Sequence, residues 1–203
     1  AVADWAENLY SNWFLADANA CWAAAAQGEW ADCGYIDGPA RQDEFYWHVL
    51  PAFVGSAKTT VVIVSDALRY EVARDVAALL ERERGGNVKV SSMQAVFPSI
   101  TEVGMPALLP HQVLELAEDG AFVLADDMST ATTPQREAVL AHVEPTARAL
   151  RSSAYLNMAG TERKAMLKDS RLVYLYHNKI DATGEKAATQ DDVFDACTDT
   201  VEE

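Results

Sequence analysis

A chain of 203 residues and 22.1 kDa has room for one ordinary domain, or one and a half small ones, with a core that buries most of its apolar surface, which excludes a disulfide-stapled miniprotein. Hydrophobic residues make up 50% and charged residues 23%, so neither intrinsic disorder nor a fibrous repeat fits. Lys and Arg number 16 against 31 Asp and Glu, and a formal charge of -15 repels phosphate backbones and anionic lipid unless cations or partner subunits intervene.

The cysteines, Cys21, Cys33 and Cys197, are widely spaced and form no C-x-x-C pair, which reads as reduced thiols in a cytoplasmic protein with no metal clip. No stretch approaches the ~18 consecutive apolar residues of a membrane helix, and AVADWAEN has neither a basic nor an apolar leader region, so a soluble chain without membrane partners is expected. The start at Ala1 without Met and the stop at DTVEE inside a helical pattern lead us to expect a piece of a longer protein.

Along residues 1 to about 26, Trp5, Leu9 and Trp13, then Tyr10 and Phe14, recur at helical spacing and predict a helix with a core-facing apolar side. Gly28, Gly34, Gly38 and Pro39 predict a loop, and QDEFYWHVLPAF an amphipathic segment closed by Pro51 and Gly55. Residues 1–57 therefore read as a helical N-terminal segment and 58–203 as an α/β domain.

KTTVVIVSDALRYEVARDVAALLERERGG opens with a β-branched run suited to a strand buried on both faces and continues into a helix ended by Gly85 and Gly86. VKVSSMQAV reads as a second strand. Strand, helix and strand in succession predict a mainly parallel sheet flanked by helices, with sites at the carboxyl ends of the strands. PSITEVGMPALLP predicts a short helix starting near Thr101, VLEL and AFVLADD short strands, and 135–151 mixed helical signals. A polar helix at about 161–169, the buried strand RLVYLYH, a loop IDATGEK and a helix from Gln190 complete the pattern.

Asp66, between strand and helix, is either an N-cap or a carboxylate placed above the sheet for a cation. Arg69, one turn on, could pair with it or hold an anionic substrate group. Thr101 is either a capping residue ahead of acidic Glu102 or a nucleophile in the positive field of a helix start, and as a nucleophile it needs metal coordination to lower its pKa. His177, Asp181 and Glu185 follow the last strand directly, where a turn at Gly184 could aim both carboxylates at one cation. Asn178–Asp181 spells N-K-x-D, as in guanine recognition, but no G-x-x-x-x-G-K-[ST] segment exists to cradle phosphates.

Together, QDEFYWHVLPAF, VVIVSDALRYEVARDVAALL, FPSITEVGMPALLPH and LVYLYHNKIDATGEK, in this order over roughly residues 42–198, resemble the PglZ domain of the alkaline phosphatase superfamily, found in BREX (phage growth limitation) defence systems. The resemblance implies a two-metal phosphohydrolase, plausibly a phosphodiesterase acting on nucleic acid or nucleotides beside other BREX proteins. It also implies that Asp66 is the first metal ligand, Thr101 the metal-bridging nucleophile and Asp181 the opening ligand of a D-x-x-G-H element. Glu185 stands where that element has His, which favours Mg or Mn over Zn. His177 is carried as a further candidate ligand and Arg69 as a catalytic cation.

The competing reading is a silent scaffold, in which the helix with Trp5, Trp13 and Trp22 is a docking surface; a sulfatase is disfavoured because Thr101 lacks a C/S-x-P-x-R context. The resemblance further implies an Asp-His element of the T-A-D-H-G-F type beyond Gln190–Glu203, so 58–203 reads as a partial domain, truncated at its C-terminus. These 203 residues are accordingly expected to bind metal weakly and turn over little. Tight binding of two ions per chain in titration calorimetry would contradict that expectation.

Overall fold

The structure, a computed structural model, describes residues 2–54, 59–84, 87–118, 120–187 and 189–202. It opens with helix α1 (Val2–Asn8), a π-helical stretch Leu9–Leu15 and α2 (Ala16–Cys33). Gly28 lies inside α2, not in the expected loop, because the alanine-rich sequence around it favours helix strongly enough to absorb the roughly 1 kcal/mol that a mid-helix glycine costs. Gly34, at φ +74°, follows α2 in the left-handed conformation that glycine adopts freely. The expected core-facing side is corrected: Trp5 is 66% and Trp13 64% exposed, and Tyr10, Phe14 and Trp22 are exposed as well. Along residues 2–28 the buried residue is Ala26 and Leu9 and Leu15 are half-buried, so the aromatic side chains of this stretch stay largely uncovered among the described residues.

QDEFYWHVLPAF winds through 3₁₀ turns at Gln42–Glu44 and Leu50–Ala52 around a π turn at Phe45–Val49, sending Tyr46 and Leu50 into the core. Gly55 and Lys58 lie outside the described residues, as do Gly85 and Gly86. The β-branched run forms β1 (Thr60–Ser65), followed by α3 (Tyr70–Arg84). The expected second strand, VKVSSMQAV, does not form. Its Gln94 instead takes a single parallel bridge to Arg41, with Gln42 N–H donating to the Gln94 carbonyl (2.9 Å) and Gln94 N–H to the Ala40 carbonyl (2.7 Å).

Next come α4 (Thr101–Ala107), β2 (Leu114–Leu116), β3 (Val123–Ala125) and β4 (Met128–Ser129), the three strands forming a small antiparallel sheet. The stretch of mixed signals resolves into α5 (Thr133–Val143), opened by a Thr132/Gln135 capping box, and β5 (Arg148–Arg151). Then follow α6 (Ser152–Asn157), α7 (Gly160–Asp169) and β6 (Leu172–His177). IDATGEK is not a loop: Ala182 N–H donates to the Asn178 carbonyl and Glu185 N–H to the Asp181 carbonyl, closing α8 (Lys179–Gly184) ahead of α9 (Gln190–Glu202).

The main sheet has the order β1-β6-β5 and is parallel throughout, so the fold is α/β with flanking helices and a helical N-terminus, as expected. Its register, Thr60↔Leu172 to Ser65↔His177, sorts the side chains by face. Val62, Val64, Tyr174 and Tyr176 pack onto Leu50, Leu109 and Leu140, and Val72, Ile180 and Cys197 join α3, α8 and α9 in a second cluster. Central β6 is buried along its whole length, as a doubly covered parallel strand should be. Edge strand β1 is not: Val61 is 42% and Ile63 65% exposed beside a cavity of about 530 Å³ whose walls include Leu79, Leu175 and Leu156. The expectation that β1 is buried on both faces is thus corrected to one face.

Leu140→Ala is therefore expected to cost about 2–5 kcal/mol in urea unfolding, and Ile63→Ala no more than about 0.5 kcal/mol. Equal losses would contradict the one-sided burial of β1.

Candidate active site

The β1–β6 ladder continues one bond past Ser65, where Asp66 N–H donates to the His177 carbonyl at 2.8 Å. This bond puts Asp66 at the carboxyl end of the parallel strands, the side on which open α/β sheets hold their ligands. The chain then turns sharply: Ala67 has φ +56°, a conformation that a residue with a Cβ rarely adopts and that occurs disproportionately at functional turns. Its N–H donates to Asp66 Oδ1 at 3.1 Å.

The other carboxylate oxygen, Oδ2, accepts from the Thr101 hydroxyl at 3.1 Å. Thr101 is the first residue of α4, and extended Ile100 (φ -103°, ψ 158°) holds the N-cap position ahead of it. The neighbouring α4 carbonyl of Gly104 accepts from Gln42 Nε2 at 2.9 Å, while Gln42 Oε1 accepts from Val96 N–H, so the amphipathic segment ties down both α4 and the strand-like approach to it. Asp66 and Thr101, 35 residues apart, are in this way joined by a direct hydrogen bond.

Asp181 comes from the first turn of α8, directly after β6. Its carboxyl is pushed above the ordinary aspartate range by desolvation first, then by the negative charges of Asp66, Glu185 and Glu102. Four acidic groups therefore act on one region. Glu185 reaches it along one helical turn of α8 instead of through a tight turn at Gly184. Glu102, which the sequence offers only as the acidic neighbour of a capping residue, also acts on Asp181 through its charge, and no local signal discloses this.

His177 serves Asp66 through its backbone carbonyl. Its ring is buried on the sheet face shared with Ser65, whose Oγ lies 2.9 Å from Nδ1. Arg69 is exposed, and no ion pair joins it to Asp66 among the described residues.

Hard oxygen donors and mutual repulsion between carboxylates are what a divalent cation such as Mg or Mn would relieve. Among the described residues no three His, Cys, Asp or Glu side chains close into a ligand shell. The carboxylates supply donor chemistry suited to such an ion.

A raised native pKa makes Asp181 favour folding when protonated: this contribution is full below the ordinary aspartate range and is lost as pH rises through the raised value. Asp181→Asn should accordingly gain stability relative to the parent between acidic and neutral pH, and Glu102→Gln should lower the Asp181 midpoint followed by carboxyl ¹³C NMR. An unmoved midpoint would show that Glu102 does not face Asp181.

Residues 45–203 match the family described as BREX system PglZ alkaline phosphatase-like domain. Over 207 aligned residues the chain is 37% identical to the alkaline phosphatase-like protein BrxZ of Escherichia coli O9:H4 (strain HS), with all of this chain and 24% of that protein covered. Over 203 residues it is 33% identical to the alkaline phosphatase-like protein PglZ of Bacillus cereus (strain H3081.97), again with 100% and 24% covered. The chain spans about a quarter of the length of these curated relatives. No solved structure matches it. With a family match over most of its length, the chain belongs to the PglZ alkaline phosphatase-like domains of BREX systems.

Proposed function

We propose that this chain forms part of a metal-dependent phosphoric ester hydrolase, a phosphodiesterase acting on nucleic acid or nucleotides in a BREX defence assembly in the cytoplasm. The observation that carries the reading is the Thr101 hydroxyl donating to Asp66 at 3.1 Å, with the Asp66 charge also acting on the Asp181 carboxyl. Family membership supports the same chemistry, because the family and both relatives are described as alkaline phosphatase-like.

In this reading Asp66, Asp181 and Glu185 hold divalent cation, and His177 backs Asp66 from the adjoining strand. The ion supplies charge neutralisation for the phosphoryl oxygens and lowers the pKa of the nucleophile. Thr101 Oγ loses its proton to water and bonds to phosphorus as the P–O bond to the ester oxygen breaks in line, the ester oxygen leaving as an alcohol with a proton from water; a second water then hydrolyses the phosphothreonine to free Thr101 and phosphate monoester. Asp66 orients the hydroxyl through the 3.1 Å bond, with its own carboxylate fixed by Ala67 N–H and its backbone by β6. Arg69, exposed three residues beyond Asp66, is the cation that meets the substrate's anionic oxygens. The acidic surface keeps bare nucleic acid away, so a nucleic-acid substrate reaches the site through metal ions or basic partner subunits.

A second reading, a catalytically silent scaffold of the same assembly, draws support from the exposed aromatics of the N-terminal helix. Hydrolysis of a chromogenic phosphodiester with Mn, Mg or Zn, by a protein of the relatives' full length that carries this chain, separates the two. The hydrolase reading expects metal-dependent turnover that Thr101→Ala lowers by roughly 10⁴-fold or more with the fold intact. No turnover with any of these ions in folded protein would favour the scaffold.

A further inference from the structure

The helix from Val2 to Cys33 carries Trp5, Tyr10, Trp13, Phe14 and Trp22 on solvent-exposed positions. Tyr10 and Phe14 stack at 5.8 Å between ring centroids, which makes part of this surface a preformed aromatic ledge. Asp4, Glu7, Asn8, Ser11 and Asn12 share a separate polar side of the same helix. The π-helical turn at Leu9–Leu15 lies within the aromatic stretch, and such turns are frequent at functional positions.

Size and charge together select the occupant. Aromatic side chains bury about 150–250 Å² each, so these five can reach the ~800 Å² per partner of an ordinary protein–protein interface. The helix also carries Asp4, Glu7 and Asp17, and the sequence has no Lys or Arg before Arg41. A second copy would set like charge against like charge. A lipid surface is disfavoured, because interfacial helices carry Lys and Arg on their polar faces, and nucleic acid is repelled outright.

We infer that the N-terminal helix is a docking element for a protein partner that offers an apolar groove rimmed with Lys and Arg. Trp5 and Trp13 are its anchors, since buried tryptophans dominate such interfaces, and the acidic residues set orientation and association rate. This inference holds whether or not the Thr101 site is a hydrolase, because it uses no residue of that site.

The test uses the full chain and two synthetic amphipathic helices, one of leucine and lysine and one of leucine and glutamate, with binding followed by tryptophan emission. The lysine peptide should bind with a blue shift, weaken at least about tenfold between low salt and half-molar salt as its charges are screened, and weaken at least about tenfold again in the Trp5→Ala/Trp13→Ala variant. Trp5→Phe/Trp13→Phe should keep most of the affinity, and circular dichroism should show the helix intact in both variants. Equal binding of the glutamate peptide, undiminished binding by the alanine variant or no binding of the lysine peptide would overturn the inference. Binding to phosphatidylcholine or phosphatidylglycerol vesicles in place of the peptide would assign the helix to a membrane, and self-association in ultracentrifugation would assign it to a second copy; either result overturns it.

Discussion

The geometry of the candidate site rests on the parallel pairing of β1 with β6, and within it on the last bond, Asp66 N–H to the His177 carbonyl. That bond fixes where the first carboxylate leaves the sheet. It also fixes the start of α8, because His177 is the last residue of β6 and Asp181 follows within one helical turn. Slipping this register by one residue would move Tyr174 and Tyr176 from the core to the open face, so the burial of those tyrosines protects the spacing between Asp66 and Asp181. Tyr174 also donates from its hydroxyl to the Leu108 carbonyl at 2.9 Å, which ties the same strand to the end of α4 and thereby to Thr101.

How far the sequence discloses this arrangement depends on whether each signal is local. TVVIVS and LVYLYH are dominated by apolar, β-branched or aromatic residues, and both are strands; the helices after Arg69, Ile100 and Thr189 follow from periodicity and start signals. VKVSSMQAV carries the same alternation yet stays a connecting segment, because Gln94 finds its backbone partners at Ala40 and Gln42. Nothing within nine residues could reveal that competition. IDATGEK reads as a loop from its Gly, Thr and Asp content, and becomes helical because β6 delivers Asn178 in position to accept the first helical bond. The alternation of exposure along β1 was also hidden, since it depends on which neighbours cover the edge strand.

The site was legible at its nodes and not in its connections. Asp66, Thr101, Asp181 and Glu185 stand out as polar groups after strands or at helix starts, and the first two are directly bonded. Glu102 looked like ordinary helix-start chemistry, and only the fold turns it towards Asp181. His177, next to those carboxylates in sequence, sends its ring to Ser65, because strand alternation puts residue 177 on the face of residue 65. The aromatic helix misled for a related reason: periodicity reveals an apolar side without revealing what covers it.

The proposal most in need of a test is that Asp66, with Asp181 or Glu185, holds a divalent cation beside Thr101. The most direct measurement is an anomalous-difference map from crystals soaked in millimolar Mn. The account expects a peak about 2.0–2.6 Å from carboxylate oxygens of Asp66 and of Asp181 or Glu185, adjacent to the Thr101 hydroxyl and absent in Asp66→Asn. A map with no peak there, or with Mn bound only at unrelated surface carboxylates, would contradict it.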